Sequence, residues 1–418
     1  MPSSVIPSST LISAVRHKAM QKTRTVTIYE VDYSGHRMNY VALIGEAFYN
    51  TGWNVVVATT TDAINSVEYK ELLGPYADRF KIVTVPRIPA SRSILSDMVR
   101  RSLALLRFTR TRKMDLLFIP VLDPVFYVFG LLFSDRLLGS QRLPSIRGIL
   151  FRGNYAYKEV ERTMLLRAKQ KLAELVISKG PYTRVLCPDE IVYNNFRNRF
   201  KSGPGDVQNR FVLCPDPVET SYDGDRTNSF RKAYGIPRDA KVLAGFGNID
   251  VRKGMDLLID AFLGYKPSPN EFLLLIGKHS TEVRDLLNRL SDSETRRNNI
   301  VSIDRFVSNE ELFSAIHTSD VVAATYPMHT GSASVVIRAA AFNKPVLASG
   351  NGWVGYCVRK YDLGHCCNVL DQVELVDGIR WAFKEARSSS DGARKLASLN
   401  SVQRFQETVV KEAERQCF

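Results

Sequence analysis

Residues 321–350, VVAATYPMHTGSASVVIRAAAFNKPVLASG, limit what this chain can fold into more than any other stretch. The run Val321, Val322, Ala323, Ala324, Thr325 predicts a buried strand, and Pro327, Thr330, Gly331 and Ser332 mark a turn of small residues. Val335, Val336, Ala339 and Ala340 then repeat with helical spacing; Asn343 marks the helix end, with Pro345 and a second strand beyond. Strand, helix and strand make one βαβ unit of a parallel sheet. A helix that opens on Thr-Gly-Ser-Ala-Ser offers backbone N–H groups and the positive end of its dipole to a phosphate, with no bulky side chain in the way. An ordinary crossover without a ligand carries the same pattern.

A chain of 418 residues is too long for one compact core, so two domains of ordinary size are expected. Its net charge of +14 calls for an anionic partner or surface: nucleic acid, a phosphorylated ligand or anionic lipid. Six cysteines (Cys187, Cys214, Cys357, Cys366, Cys367, Cys417) form no C-x-x-C pair, which fits a reducing compartment and neither a disulfide framework nor a zinc site. Residues 1–24 read as a loose polar tail and not as a signal peptide. The apolar stretch 116–138 is broken by Pro120, Asp123, Pro124 and Asp135, so a strand, loop and helix explain it better than a membrane span.

Strands are predicted at 25–31, 53–59, 80–85, 115–121, 145–152, 174–178 and 184–187, with a helix at 39–50 and others in the gaps. The segment 211–219 with the polar run after it marks a boundary. Beyond it, strands are predicted at 241–246, 272–276 and 300–303, helices at 255–263, 282–290 and 308–318, and two terminal helices at 373–386 and 393–415. The order in both halves is α/β with parallel sheets. Between Arg87 and Lys113 lie eight basic residues and one acid, Asp97, interleaved with Leu103, Leu105, Leu106 and Phe108. Such a helix suits an anionic bilayer or an ordinary solvated surface. Nucleic acid is not expected, because no recognition motif accompanies the charge.

The segments VLAGFGNIDVRKGMDLLIDAF, FLLLIGKHS and RFVSNEELFSAIHTSDVVAATYPMHTGSASVVIRAAAFNKPVLASGNG resemble, in order, the C-terminal domain of family 4 retaining nucleotide-sugar glycosyltransferases, which have the GT-B fold. The segment YSGHRMNYVALIGEAFYNTGWNVVVATT is similar to the first loop and helix of GT-B N-terminal domains. The resemblance implies two Rossmann-like domains facing a cleft: an acceptor-side domain at 25–212, a nucleotide-sugar-binding domain at 213–385 and a C-terminal helix at 386–418. It places Lys253 at the lysine that pairs with the donor diphosphate, and Asn248 where the family has an arginine, a loss of charge that Arg252 offsets. The paired glutamates of the family fall on Thr330 and Arg338, and the glycine between them on Ala333. Thr330 brings no negative charge; Arg338 has donors only and suits a phosphate, unless it is buried and paired elsewhere.

The resemblance therefore implies a hexosyl- or other glycosyltransferase acting from a nucleoside diphosphate-sugar on a glycan or lipid-linked acceptor, and the basic run 87–113 adds the expectation that it is cytoplasmic and peripheral on an inner membrane face. The alternative is a catalytically degenerate GT-B protein acting as a binding module or partner subunit. Gly35, Gly247, Asn248, Arg252, Lys253, His329, Thr330, Gly331, Ser332 and Arg338 are the donor-side candidates. His36, after the first strand, is a candidate general base or a phosphate contact, and Asp123 a second acceptor-side carboxylate. No metal or resident cofactor is expected: Asp223, Gly224 and Asp225 satisfy D-x-D but read as a turn, and Gly245-x-Gly247 lacks the third glycine of a dinucleotide fingerprint.

Overall fold

The structure is a computed structural model that describes residues 23–33, 37–89, 91, 93–132, 143–157, 163–200, 205–219, 227–290, 299–387 and 390–415. The expectations for the tail up to residue 22, Gly35, His36, Arg92, Asp135, Asp223, Gly224, Asp225 and Cys417 lie outside those residues. In chain order the elements begin β1 (Thr25–Tyr29), α1 (Arg37–Asn50), β2 (Asn54–Thr59), α2 (Thr61–Ile64), α3 (Val67–Leu72), β3 (Phe80–Thr84), α4 (Ile94–Thr111), β4 (Leu116–Ile119) and α5 (Phe126–Leu132). Next come β5 (Ser145–Ile149), α6 (Met164–Lys179), β6 (Tyr182–Cys187), α7 (Glu190–Arg199), α8 (Gly205–Arg210), β7 (Phe211–Leu213) and α9 (Thr227–Ala233). The rest are β8 (Lys241–Phe246), α10 (Met255–Tyr265), β9 (Glu271–Ile276), α11 (Thr281–Leu290), β10 (Ile300–Ile303), α12 (Asn309–Thr318), β11 (Val321–Ala324), α13 (Ser334–Ala341), β12 (Val346–Ser349), α14 (Gly352–Tyr361), β13 (Gly364–Cys367), α15 (Gln372–Lys384), α16 (Ser390–Leu399) and α17 (Val402–Glu414).

The strands form a seven-stranded sheet ordered β3-β2-β1-β4-β5-β6-β7 and a six-stranded sheet ordered β10-β9-β8-β11-β12-β13. Every neighbouring pair in the six-stranded sheet is parallel, as are β1–β2, β2–β3, β1–β4 and β6–β7. By compactness the chain divides into two units, residues 1–120 with 140–147 and residues 121–139 with 148–418.

In the first unit, α1 buries Met38, Val41, Ile44 and Phe48. Gly45 lets the helix approach the sheet, since a Cβ there would stand 2.6 Å from the Phe80 ring. Glu30, just past β1, is buried; its Oε1 accepts from Arg37 Nη1 at 2.8 Å and from Asp32 N at 3.0 Å, while Oε2 has no partner. Arg101 of α4 turns inward to Asp32 at 2.9 Å and Asp97 at 2.7 Å.

In the second unit, Leu243, Leu258, Ile259, Phe262, Leu275, Val321, Leu347, Ile379 and Phe383 belong to a single buried cluster between the six-stranded sheet and its helices. Each such side chain contributes roughly 1.5–3 kcal/mol through burial. The strand expected at 174–178 is instead the last turns of α6, capped by Thr163, whose Oγ1 accepts from Leu166 N at 3.2 Å. Ala173, Val176 and Ile177 are buried at helical spacing, and the apolar run there does not by itself tell helix from strand. The helix expected at 393–415 is two, because Ser401 caps α17 and Asn400 gives its backbone oxygen to Val218 N. An edge strand the sequence does not signal, β13, pairs with β12. Glu412 of α17 meets Arg184 of β6 at 3.3 Å.

Burial pushes Glu30 up to about 7, with the Arg37 guanidinium only partly opposing it. A carboxyl raised above its unfolded value favours the fold when protonated, and that contribution is lost as pH rises from about 4.5 through about 7. Between pH 5 and 8 the unfolding free energy of the wild type is therefore expected to fall more steeply than that of Glu30→Gln, as read by denaturant titrations at each pH.

Candidate functional site

The order of the six-stranded sheet reverses between β8, which continues to β9 on one side, and β11 on the other. In open parallel sheets ligands bind at such a switch point, beyond the carboxyl ends of the strands. The loops that leave β8 and β11 carry most of the candidate residues.

The first loop turns at Gly247 (φ 87°) and closes at Gly254 (φ 67°). Between them Asp250 caps a single helical turn, Val251–Lys253, by accepting from Lys253 N at 3.0 Å. Gly254 fits where no other residue does, since a Cβ would lie 2.2 Å from the Thr325 oxygen. Thr325 Oγ1 in turn donates to the Lys253 oxygen at 3.3 Å, stitching the two loops together. Lys253 is half-buried; its ammonium donates to the Phe246 oxygen at 3.2 Å and lies 5.9 Å over the Tyr326 ring. Burial lowers it to about 8, Asp250 opposing, Arg252 and Arg338 adding to the fall. Arg252 is exposed and reaches Asp250 at 3.3 Å.

In the second loop, Nε2 of His329 lies 3.4 Å from the Ser332 oxygen and its ring 4.7 Å from Tyr326. Burial lowers its pKa, with Arg252 and Lys253 acting in the same direction, so the ring is neutral at pH 7 and its Nε2–H donates to that carbonyl. Thr330 is half-buried. Gly331 (φ 108°) donates its N–H to the Tyr157 hydroxyl at 2.9 Å, and Ser332 Oγ donates to Asp216 at 2.8 Å. Helix α13 begins at Ser334, later than the Thr-Gly-Ser run suggests, and its cap residue Ala333 supplies no side-chain acceptor. Within its first turn Val336 N donates to the Ala333 oxygen at 3.1 Å, and no side-chain cap serves the turn.

Arg338 lies one turn into α13. Its Nε has no hydrogen-bond partner, and burial lowers its pKa against the pull of Glu219 and Asp216. The site thus collects Gly247, Asn248, Arg252 and Lys253 from one loop and His329, Thr330, Gly331, Ser332 and Arg338 from the next segment. The couplings of Lys253 with Arg338 and of His329 with Arg252 and Lys253 join the two groups electrostatically. Asp123 reaches the second loop through Phe151: it is buried, raised by that burial, its two oxygens accept from Phe151 N at 3.0 Å and Arg152 N at 2.8 Å, and the Phe151 oxygen stands 3.2 Å from where a Gly331 Cβ would be. Sequence reasoning missed Tyr157, Asp189 and Asp216, which hold the second loop from outside the motif. Only Asp189, a helix cap followed by Glu190, carries a local signal.

Two α/β sheets of this order with a site at the β8/β11 switch point define the GT-B fold. Residues 226–396 match the model of the family described as glycosyl transferases group 1. Solved structures similar over most of the chain include HepE of Anabaena in complex with UDP and glucose (15% identity, 93% of this chain and 99% of that one, TM-score 0.64). Sucrose-phosphate synthase of Thermosynechococcus elongatus matches at 16% identity over 93% and 98% with a TM-score of 0.66. WaaG, a glycosyltransferase involved in lipopolysaccharide biosynthesis, matches at 14% over 93% and 98% with a TM-score of 0.62. No curated protein matches the sequence.

Gly254→Ala tests the stitched loops. A left-handed alanine costs about 1–2 kcal/mol before any clash, and the Thr325 carbonyl, 2.2 Å from the added carbon, must also move. Calorimetry is expected to show a melting temperature lower by several degrees, with Gly235→Ala, at a left-handed glycine with open space around it, affected less.

Proposed function

We propose that the protein is a glycosyltransferase that moves a sugar from a nucleoside diphosphate donor to a glycan or lipid-linked acceptor in polysaccharide or glycoconjugate biosynthesis. The observation that carries this reading is the convergence of half-buried Lys253, Arg338 with its unpaired Nε and the uncapped α13 N-terminus on one switch point, inside the matched region. The crystal structure of HepE in complex with UDP and glucose supports the donor class.

In this reading the Lys253 ammonium, the Arg338 guanidinium and the α13 amides hold the donor diphosphate. They stabilise it as it leaves with the electron pair of the sugar–phosphate bond, electrostatic stabilisation in a preorganised site. These groups, and not a metal ion or resident cofactor, are assigned the charge neutralisation. His329, Thr330 and Ser332 line the side where the sugar lies. The acceptor oxygen forms the new bond and gives its proton to a base, His36 or Asp123.

The same proposal puts the protein in the cytoplasm, peripheral on the inner face of a membrane. Arg100, Leu103, Arg107 and Arg110 are exposed along one face of α4, and Ile94 and Leu95 at its start are 82% and 66% exposed. That stripe suits anionic lipid.

Two measurements test the donor site. Lys253→Ala is expected to weaken binding of UDP, or of whichever nucleoside diphosphate most stabilises the wild type, about 10- to 100-fold, the range for a charge-assisted contact. If no nucleoside diphosphate shifts the melting curve of the wild type and no nucleotide-sugar is hydrolysed, the reading fails. Because free Lys253 titrates near 8, a bound diphosphate raises it. Affinity is then expected to be flat below that pH and to fall above it, with proton uptake on binding near pH 8. Calorimetry in buffers of different ionisation enthalpy reads this directly.

A further inference from the structure

The loop that follows β11 is held from outside at His329, Gly331 and Ser332. The His329 oxygen packs against Gly352, where a Cβ would come within 2.0 Å of it. Gly331 N donates to the Tyr157 hydroxyl at 2.9 Å, and a Cβ on Gly331 would stand 3.2 Å from the Phe151 oxygen. Ser332 Oγ donates to Asp216 at 2.8 Å. Of these contacts the tyrosine is the most deeply anchored. Tyr157 is 1% exposed, follows the short helical turn Asn154–Ala156 that leaves β5, and gives its hydroxyl proton to Oδ2 of Asp189. Asp189 is wholly buried, and its other oxygen accepts from Ile191 N at 2.8 Å and Val192 N at 3.1 Å at the start of α7.

The chain of hydrogen bonds has a fixed direction. A carboxylate only accepts, so the tyrosine proton is committed to Asp189 and the phenolic lone pair is left to face the Gly331 amide. Gly331, which follows Thr330, therefore spends its N–H inside the protein. An unpinned glycine loop has to be ordered when a ligand binds, and that ordering is subtracted from affinity.

We propose that Tyr157, anchored by Asp189, is a positioning residue that presets the 329–332 loop for its ligand. The proposal rests on the donor-site reading above as far as the ligand is concerned, and the role of the tyrosine is separable from it. Tyr182 supplies a matched control: it is also fully buried, and its hydroxyl donates to the Val125 and Phe126 oxygens at 3.3 and 3.1 Å, with no bond to the loop.

Tyr157→Phe and Tyr182→Phe each delete one buried hydroxyl and are both expected to lower the melting temperature. Only Tyr157→Phe is expected to raise the UDP dissociation constant, about fivefold, the scale of one hydrogen bond, and to speed amide exchange across 329–332. In the wild type the Gly331 amide is expected to be protected from exchange, a measurement that needs no variant if Tyr157→Phe does not fold. Equal UDP affinity in the wild type and both variants, or an unprotected Gly331 amide, overturns the proposal. Should UDP, GDP, ADP, CDP and dTDP all fail to bind the wild type, the donor reading falls, and the exchange data alone decide whether Tyr157 holds the loop.

Discussion

The site depends on one parallel pairing, β8 with β11, in which Val321 faces Leu243 and Val322 faces Ala244. Both strands are buried apolar runs, so their register is fixed by the hydrophobic core and not by any ligand. That register brings the carboxyl ends of two strands far apart in sequence side by side. The Gly254 approach to Thr325 then locks their loops at backbone distance. A lysine on one loop and an arginine on the helix after the other come into electrostatic range because of the sheet, with no direct attraction between them. Two like charges are brought together by packing, and the lowering of Lys253 to about 8 comes first from its burial, with repulsion by Arg252 and then Arg338 adding to it.

Such a site is poised for an anion. The positions where the resembling family keeps carboxylates hold Thr330 and Arg338, and the acids that act on Arg338, Glu219 and Asp216, come from the segment after β7. Asp216 is engaged by Ser332 and by its own backbone bond to Asn400. It balances Arg338 at a distance without closing a bond to its Nε. A fully paired arginine would have no donor to offer a ligand; the Nε of this one has no partner.

How much of this was legible in the letters depends on how local the cause is. β8 and β10 fall at the predicted bounds, because short apolar runs ended by Gly or Asp have few other uses in a chain that alternates strand and helix. The triplet Leu175, Val176, Ile177 misleads for the same reason: three apolar residues serve a strand and a helix equally, and only the distant cap at Thr163 decides. β13 reads GHCC and has no strand-forming side chains; it is a strand because Gly364 (φ 151°) lets the chain approach Val346, where a Cβ would meet its oxygen at 2.2 Å. Within the site, Lys253 and the glycines announce themselves through spacing. Tyr157 and Asp216 do not, since their bonds to Gly331 and Ser332 span 174 and 116 residues and no local pattern encodes them.

The basic run at 87–113 shows the same division between composition and placement. Read as letters, it is one dense cationic segment. Folded, Arg101 is spent on Asp32 and Asp97 inside the first unit, Arg87 lies beside Asp62 at 3.2 Å, and Arg112 covers the Phe108 ring at 5.4 Å. Arg100, Arg107 and Arg110 remain on one exposed face with Leu103 between them, while Leu105, Leu106 and Phe108 are buried on the other. The buried leucines and the inward ion pairs hold the helix to the sheet without help from any partner. Packing therefore accounts for the helix, and it leaves the three outward arginines exposed on a face that packing does not need.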